Sequence, residues 1–291
     1  MDYMRVVMAS VGSALLFQLG AQNPRPPQKI EVPEAGINLP MSLMGGRPLV
    51  DVHINGKGPY RFILDTGAEH SVVDDGLKDQ LSLDPVQAAA HSPGGAARIA
   101  SLGVGGATLE GVIVQTAPIT RMFGGSDAPR GVLSAASFPG YLVVLDYPAR
   151  RILIHKGELS AADARTRFEY TSDQILPNVP VRVGGVEVRA HVDTGSPGSL
   201  TLPTKYLKEL PLSSEPTEVG RARTPNGEFS IWSGQITGDV DLGQYKLDLK
   251  NLEFSDVNPI PGPPTGNLGS QVLRQFVVTL DSKNRRIQFE R

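Results

Sequence analysis

Two stretches of the chain share one pattern, and this pattern decides the fold. Residues 49–73 read LVDVHINGKGPYRFILDTGAEHSVV, and residues 178–202 read NVPVRVGGVEVRAHVDTGSPGSLTL. Each stretch has an alternating strand, a turn that contains glycine, a second alternating strand and then Asp-Thr-Gly. Apolar residues that recur with a period of two on both sides of a short glycine turn predict a β-hairpin. The chain therefore contains an internal repeat, in which Asp65 is equivalent to Asp193.

The repeat continues beyond the two hairpins. LGVGG at 102–106 is similar to VDLGQ at 240–244, and YLVVLDYPARRILI at 141–154 is similar to FVVTLDSKNRRIQF at 276–289. The chain also contains 32 Gly and 24 Pro, a composition that favours many turns between short strands. These features predict an all-β fold that is built from two similar halves.

Helices are expected to be few and short. The candidates follow the two Asp-Thr-Gly segments and the last glycine-rich turn, at Asp74–Leu81, Thr204–Leu210 and Ser270–Gln275. None reaches the roughly 10–12 residues for which periodicity alone identifies a helix. Strands and long helices do not alternate along the chain, which argues against a doubly wound α/β fold.

Composition excludes several classes of function. The formal net charge is −2, so there is no electrostatic reason to expect nucleic acid as a partner. The chain has no Cys, which excludes disulfides, thiolate catalysis and zinc–thiolate sites. The five His residues show no metal-ligand spacing. We therefore expect neither a metal nor another cofactor.

The N-terminus predicts export. Arg5 precedes an apolar run that ends near Ala21, and this run is shorter than the roughly 20 residues that a membrane span needs. We predict a signal peptide over 1–21, then an extended segment over 22–44, and a periplasmic or secreted protein. A membrane anchor or a buried strand is the alternative for the first segment. No later segment is apolar enough to predict a span, so no membrane span is expected after signal removal.

The paired Asp-Thr-Gly segments predict a pair of carboxyl groups, Asp65 and Asp193. A charge at the end of a buried strand is costly unless it has a partner or a purpose. Two carboxyls held close together cannot both ionise easily, so the pair retains one proton. The charged member accepts a proton from water, and the protonated member polarises a carbonyl. The alternative is structural, because Asp often caps turns and helices.

These motifs resemble those of the pepsin/retropepsin clan of aspartic proteases, for which the shared-proton chemistry is already established. ILDTGA at 63–68 matches the retropepsin form, and HVDTGS at 191–196 carries the Ser that is more usual in pepsins. The resemblance covers about residues 45–156 and 174–291. It implies two retropepsin-like lobes fused in one chain, with pseudo-twofold symmetry and a cleft between them.

The resemblance also implies a domain plan and an oligomeric state. The first lobe is expected over 45–156, a linker over 157–173 and the second lobe over 174–291. Because both Asp residues lie in one chain, activity is not expected to require dimerisation, and we predict a monomer.

Site roles follow from the same resemblance. Asp65 and Asp193 are expected to be catalytic. The residues expected to support the two active-site loops are Thr66, Gly67, Thr194, Gly195 and Ser196. The threonines are expected to bond across the axis, and the glycines to allow close approach of the backbone and to supply amide donors.

Two turns depart from the clan's pattern of two apolar residues followed by Gly. Asn267-Leu268-Gly269 begins with Asn, and Val132-Leu133-Ser134 ends with Ser. The clan also covers its cleft with hairpin flaps, whose tips are expected at 92–95 and 224–227, where the alternative is an ordinary surface hairpin. Glu69 and His70 are either substrate contacts or simple surface groups.

The sequence thus predicts an aspartic endopeptidase that acts on a peptide or protein substrate in extended conformation. One alternative is a binding protein that retains the fold and holds a peptide or glycan without cutting it. A second alternative is an all-β structural protein of the cell envelope.

Overall fold

A computed structural model of the chain describes residues 26–86, 95–170, 176–224, 227–256 and 265–291. The predicted signal peptide lies outside these residues, as do most residues of the two predicted flap tips. Strands dominate the described chain and form three sheets, of nine, six and nine strands. This architecture confirms the all-β prediction and the presence of two similar lobes.

The strands of the described residues are short. Those up to residue 156 are β1 (Lys29–Glu31), β2 (Ile37–Pro40), β3 (Ser42–Met44), β4 (Arg47–Ile54), β5 (Lys57–Asp65), β6 (Val72–Asp74), β7 (Asp84–Val86), β8 (Ala96–Val104), β9 (Ala107–Ala117), β10 (Gly131–Ser134), β11 (Tyr141–Asp146) and β12 (Arg151–Lys156). Those that follow are β13 (Arg167–Glu169), β14 (Asn178–Val183), β15 (Val186–Asp193), β16 (Leu200–Leu202), β17 (Thr217–Thr224), β18 (Gly227–Gln235), β19 (Val240–Leu242), β20 (Tyr245–Leu247), β21 (Asn251–Phe254), β22 (Gly266–Gly269), β23 (Val277–Asp281) and β24 (Arg286–Glu290).

The repeated sequence forms equivalent hairpins in the two nine-stranded sheets. β4 pairs antiparallel with β5, and β14 pairs antiparallel with β15. The tight turns are Asn55-Gly56 and Gly184-Gly185, and all four residues have positive φ. This conformation suits Asn and Gly, and it matches the twist of a two-residue hairpin turn. The hairpin predictions are therefore confirmed.

A six-stranded sheet joins the two halves. Its strand order is β13-β24-β23-β11-β12-β2, and the repeated strands β11 and β23 pair antiparallel at its centre. Asp146 and Asp281 end these strands, and each accepts backbone N–H bonds in the turn that follows. The outermost strands come from the predicted N-terminal segment and the predicted linker, so both segments contribute to the sheet.

Three short α-helices and two 3₁₀ helices complete the described chain: α1 (Asp75–Leu81), α2 (Ile119–Phe123), α3 (Ser270–Leu273), and 3₁₀ turns at Ala135–Ser137 and Thr204–Leu207. Asp74 caps α1, because its carboxylate accepts the N–H of Leu77 at 3.2 Å. A short helix is present at each of the three predicted positions. The sequence did not predict α2, which has only five residues.

Candidate active site

The two Asp-Thr-Gly loops begin at the ends of equivalent strands. β5 pairs in parallel with β10, which places Asp65 beside Ser134. β15 pairs in parallel with β22, which places Asp193 beside Gly269. Each loop therefore begins at the carboxyl end of an inner strand of its own sheet. The residues that end each strand are buried.

The loops meet so closely that each glycine lies against the opposite carboxyl group. A Cβ atom built on Gly67 would lie 2.7 Å from Cγ of Asp193. A Cβ atom on Gly195 would overlap Oδ2 of Asp65. Only glycine leaves room for this approach. The glycine of each motif therefore allows the aspartate of the other half to lie against its loop.

The two threonines form reciprocal hydrogen bonds across the interface. Oγ1 of Thr66 donates to the carbonyl oxygen of Val192 at 2.6 Å and accepts the N–H of Thr194 at 3.1 Å. Oγ1 of Thr194 donates to the carbonyl oxygen of Leu64 at 2.8 Å and accepts the N–H of Thr66 at 3.0 Å. Both threonines are buried. Each hydroxyl therefore ties one loop to the strand that carries the opposite aspartate.

The two carboxyl groups have different hydrogen-bond partners. Oδ1 of Asp65 accepts the N–H groups of Gly67 at 2.7 Å and of Gly195 at 3.1 Å. Oδ2 of Asp193 accepts the side-chain amide of Asn267 at 2.6 Å. Oδ1 of Asp193 is buried and has no hydrogen-bond partner within the described part of the chain. The pair is therefore asymmetric although the loops that carry it are alike.

Burial raises the pKa of both carboxyl groups, and the charge of Asp193 raises that of Asp65 further. Asp65 and Asp193 are 1% and 4% exposed. The pKa of Asp65 lies well above its usual range because of burial and the charge of Asp193, although the two loop amides oppose this shift. The pKa of Asp193 is raised by burial, while hydrogen bonding to the Asn267 amide, to Asp65 and to the Ser196 N–H opposes the rise, as does the Arg47 charge. Such a pair holds a proton at a pH where ordinary carboxyl groups are ionised.

Arg47, which the sequence analysis missed, lies beside the pair at the start of β4. Its Nε donates to the carbonyl oxygen of Gly195 at 2.7 Å, and its guanidinium lies 5.2 Å from the centre of the Phe123 ring. Burial lowers the pKa of Arg47, and the charges of Asp193 and Asp65 oppose this effect. Arg47 therefore braces the second loop and brings a positive charge to the carboxyl pair.

Ser134, at one of the two departures, and Ser196, in the second loop, serve local structure. Oγ of Ser134 donates to the carbonyl oxygen of Ala68 at 2.7 Å, so the residue in place of glycine ties β10 to the first loop. The hydroxyl of Ser196 accepts the N–H of Gly198 at 3.4 Å within its own loop. Ser196 therefore supports the backbone of its own loop.

The other predicted positions lie just after the first loop and in two hairpins. Glu69 and His70 are half-buried after the first loop, and burial raises the pKa of Glu69 and lowers that of His70. β7 and β8 form one hairpin and β17 and β18 another, but residues 92–94 and 225–226 of the predicted tips lie outside the described residues.

Two further observations bear on the kind of site. No group of three or more His, Asp or Glu side chains within the described ranges is arranged to hold a metal ion. Over the same ranges, no helix is long and apolar enough to cross a membrane. Where the two loops meet, the described residues bring together two carboxyl groups, the amide of Asn267 and the guanidinium of Arg47.

A two-lobed β fold with one Asp-Thr-Gly loop from each lobe defines the class of aspartic-protease-like proteins. A family model described as aspartyl protease matches the chain twice, over residues 50–135 and 179–272. The matches cover more than half of the sequence, and one match falls in each half. The chain therefore belongs to the aspartyl protease family. A search of curated proteins gives no match to the chain.

Proposed function

We propose that the chain is an aspartic endopeptidase in which Asp65 and Asp193 are the catalytic pair. The observation that carries this proposal is the meeting of two buried carboxyl groups from separate lobes, with each glycine packed on the opposite carboxyl. A structural capping role does not require two acids to converge. Burying them together raises both pKa values, a cost that is typical of functional sites.

The proposed reaction uses the pair as one acid and one base. A water molecule attacks the carbonyl carbon of the peptide bond and gives a proton to ionised Asp193, while Asp65 gives its proton to the carbonyl oxygen. The tetrahedral intermediate then collapses: Asp193 gives its proton to the leaving nitrogen, the C–N bond breaks, and one hydroxyl of the intermediate returns a proton to Asp65. The products are a carboxylic acid and an amine, and the pair again holds one proton. The step needs neither a metal nor a covalent intermediate.

The proposed substrate is a peptide in extended conformation. β17 is an edge strand of the second nine-stranded sheet, and it forms one of the two hairpins predicted as flaps. An extended segment binds well to a strand edge, because backbone hydrogen bonds are available along it. The family also supports a peptide as substrate.

The test of function is cleavage of a peptide library by the purified chain from acidic to neutral pH. We expect Asp65→Asn and Asp193→Asn each to abolish cleavage while the protein stays folded. Asp248→Asn, at an exposed aspartate just after β20, is the matched control and should retain full activity. Cleavage that persists in either of the first two variants would refute the assignment.

The same experiment separates the rival proposal of a non-catalytic binding protein. If the intact chain binds library peptides but cuts none at any pH, the fold serves binding and the proposed reaction is wrong. Inhibition of cleavage by a statine-type compound would support the peptidase, since its hydroxyl occupies the position of the attacking water.

We also propose that the protein is exported and acts as a monomer. The apolar N-terminal run supports export, and N-terminal sequencing of the mature protein tests it, with a first residue just after Ala21 expected. Both carboxyl groups come from one chain, which supports a monomer. Light scattering of the active protein tests this, and activity found only in a dimer would contradict it.

A further inference from the structure

The strand beside each aspartate carries a different residue in the two lobes. Asn267 lies on β22, next to the strand that ends in Asp193, and Val132 is its counterpart on β10. Val132 is buried in an apolar cluster that also contains Leu49 and Ile63. Asn267 instead directs its amide to Oδ2 of Asp193 at 2.6 Å. The two lobes therefore differ at this position, because only Asp193 accepts a hydrogen bond from a side chain on the neighbouring strand.

This donor matches the opposite roles that the two acids need. The loop amides of Gly67 and Gly195 both bind Oδ1 of Asp65, which leaves Oδ2 of that group to carry a proton. On Asp193, the amide of Asn267 occupies Oδ2, and Oδ1 has no partner among the described residues. A short bond from an amide N–H to a carboxylate favours the ionised form. The loop amides act in this sense on Asp65 too, but burial and the charge of Asp193 still hold the pKa of Asp65 well above its usual range.

Among the described residues, Arg47 and Tyr147 interact with the charges of the pair and His191 lies nearby on β15, and none of these groups replaces Asn267. Arg47 contacts the second loop and favours negative charge on both acids, on Asp193 more than on Asp65. Tyr147 is buried, and the charges of both acids contribute to its raised pKa, so it remains neutral. His191 lies on β15, two residues before Asp193, and burial lowers its pKa to about 4, so it too is neutral above that pH.

We propose that Asn267 is a positioning residue that holds Asp193 in the ionised form and leaves its Oδ1 as the acceptor for the proton of the attacking water. Asp65 is consequently the acid that donates to the substrate carbonyl. The expected effect of Asn267 on kcat/KM rests on the proposed function. The asymmetry of the two carboxyl groups can be measured without any substrate.

The kinetic test replaces Asn267 with Leu, which has the same branched shape but no donor. We expect the acid limb of the pH profile of kcat/KM to move upward by about one pH unit, since a hydrogen bond to a charged group is worth this much or more. We expect kcat at the plateau to fall by about tenfold with little change in KM. Asn251→Leu, on the exposed face of β21, is the matched control. An unchanged limb and plateau would overturn the proposal.

The second test needs no activity. ¹³Cγ-aspartate NMR, with Asp65→Asn and Asp193→Asn to assign the two signals, should show that Asp193 ionises at lower pH than Asp65. In Asn267→Leu, the Asp193 titration should move upward by about one pH unit. Asn267→Ala provides the same test if the leucine disturbs folding. An Asp193 titration that is the same in both variants and the parent chain would overturn the inference.

The two proposals fail in different ways. If the chain cleaves no peptide but Asp193 still ionises first and depends on Asn267, the proposed function is wrong and the role of Asn267 stands. If cleavage is normal and Asn267→Leu changes neither the profile nor the titration, the role of Asn267 is wrong and the peptidase stands.

Discussion

Replacing Thr66 with Val tests the hydrogen-bonded brace beneath the carboxyl pair. Valine keeps the branched shape of threonine but has no hydroxyl. The change removes the donor to the carbonyl oxygen of Val192 and the acceptor for the N–H of Thr194, in a place where Thr66 is only 2% exposed. Two buried polar groups of the opposite lobe therefore lose a hydrogen bond.

The expected cost follows from these two bonds. A buried donor or acceptor that loses its partner costs about 1–3 kcal/mol, so the substitution should lower the free energy of unfolding by about 2–6 kcal/mol. Thr66→Ser keeps the hydroxyl and removes only a methyl group, which should cost about 1 kcal/mol. The two variants should thus differ by at least about 1 kcal/mol.

Urea unfolding measures these differences, and peptide cleavage measures the effect on the site. We expect Thr66→Val to lower kcat/KM, because a displacement of about 1 Å at a catalytic group can cost 100-fold. We expect Thr66→Ser to remain close to the parent in cleavage. If Val and Ser destabilise the protein equally, the hydroxyl contributes nothing and the brace is only a feature of packing.

Three further outcomes are expected. Ionising a carboxyl group whose pKa is raised in the folded protein destabilises the fold, and Asn at this position cannot ionise. Asp65→Asn should therefore raise the free energy of unfolding at neutral pH by about 1 kcal/mol. A variant that is less stable than the parent chain in urea unfolding would contradict this. Burial lowers the pKa of His191 from 6.5 to about 4 in the folded protein, so the unfolded chain takes up the proton first as the pH falls. The free energy of unfolding of the parent chain should therefore fall by about 3 kcal/mol more than that of His191→Phe between pH 6.5 and about 4. An equal fall in the two proteins would show that His191 is not held neutral. Gly195→Ala should reduce kcat/KM at least about 100-fold, because the added Cβ displaces the Asp65 carboxyl; activity close to that of the parent chain would contradict the close approach.

Local sequence patterns were sufficient to predict the repeated hairpins and the loops that follow them. Alternation with a period of two and the turns Asn55-Gly56 and Gly184-Gly185 define each hairpin within about 20 residues of chain. The duplication of Asp-Thr-Gly then relates Asp65 to Asp193, because equivalent segments of a repeat occupy equivalent positions in the two lobes. The hairpins were therefore predictable from short-range signals, and the meeting of the two loops from the duplication of the motif.

The remaining features depend on contacts between distant segments. Asn267 reaches Asp193 because β22 pairs with β15, and these residues are 74 positions apart. Arg47 contacts Gly195 across 148 positions. No local pattern records which residue of one strand will face another strand so far along the chain. The sequence therefore indicates that position 267 departs from the family, but it does not indicate that the amide binds the carboxyl group of Asp193.

The outer strands of the central sheet illustrate the same limit. β2 and β13 have four and three residues, too few for alternation to identify a strand. They form only because β12 and β24 offer edges for them. The sequence consequently predicts only an extended segment and a linker at these two positions.

The proposed mechanism requires Asp65 and Asp193 to share one proton. Infrared difference spectra of the parent chain and Asp65→Asn, taken at about pH 6 where ordinary Asp and Glu are ionised, test this claim directly. We predict that the parent chain shows the carbonyl band of one protonated carboxyl group and that the variant lacks it. If the two proteins show no difference in this band, both carboxyl groups are ionised independently and the paired-acid mechanism is wrong.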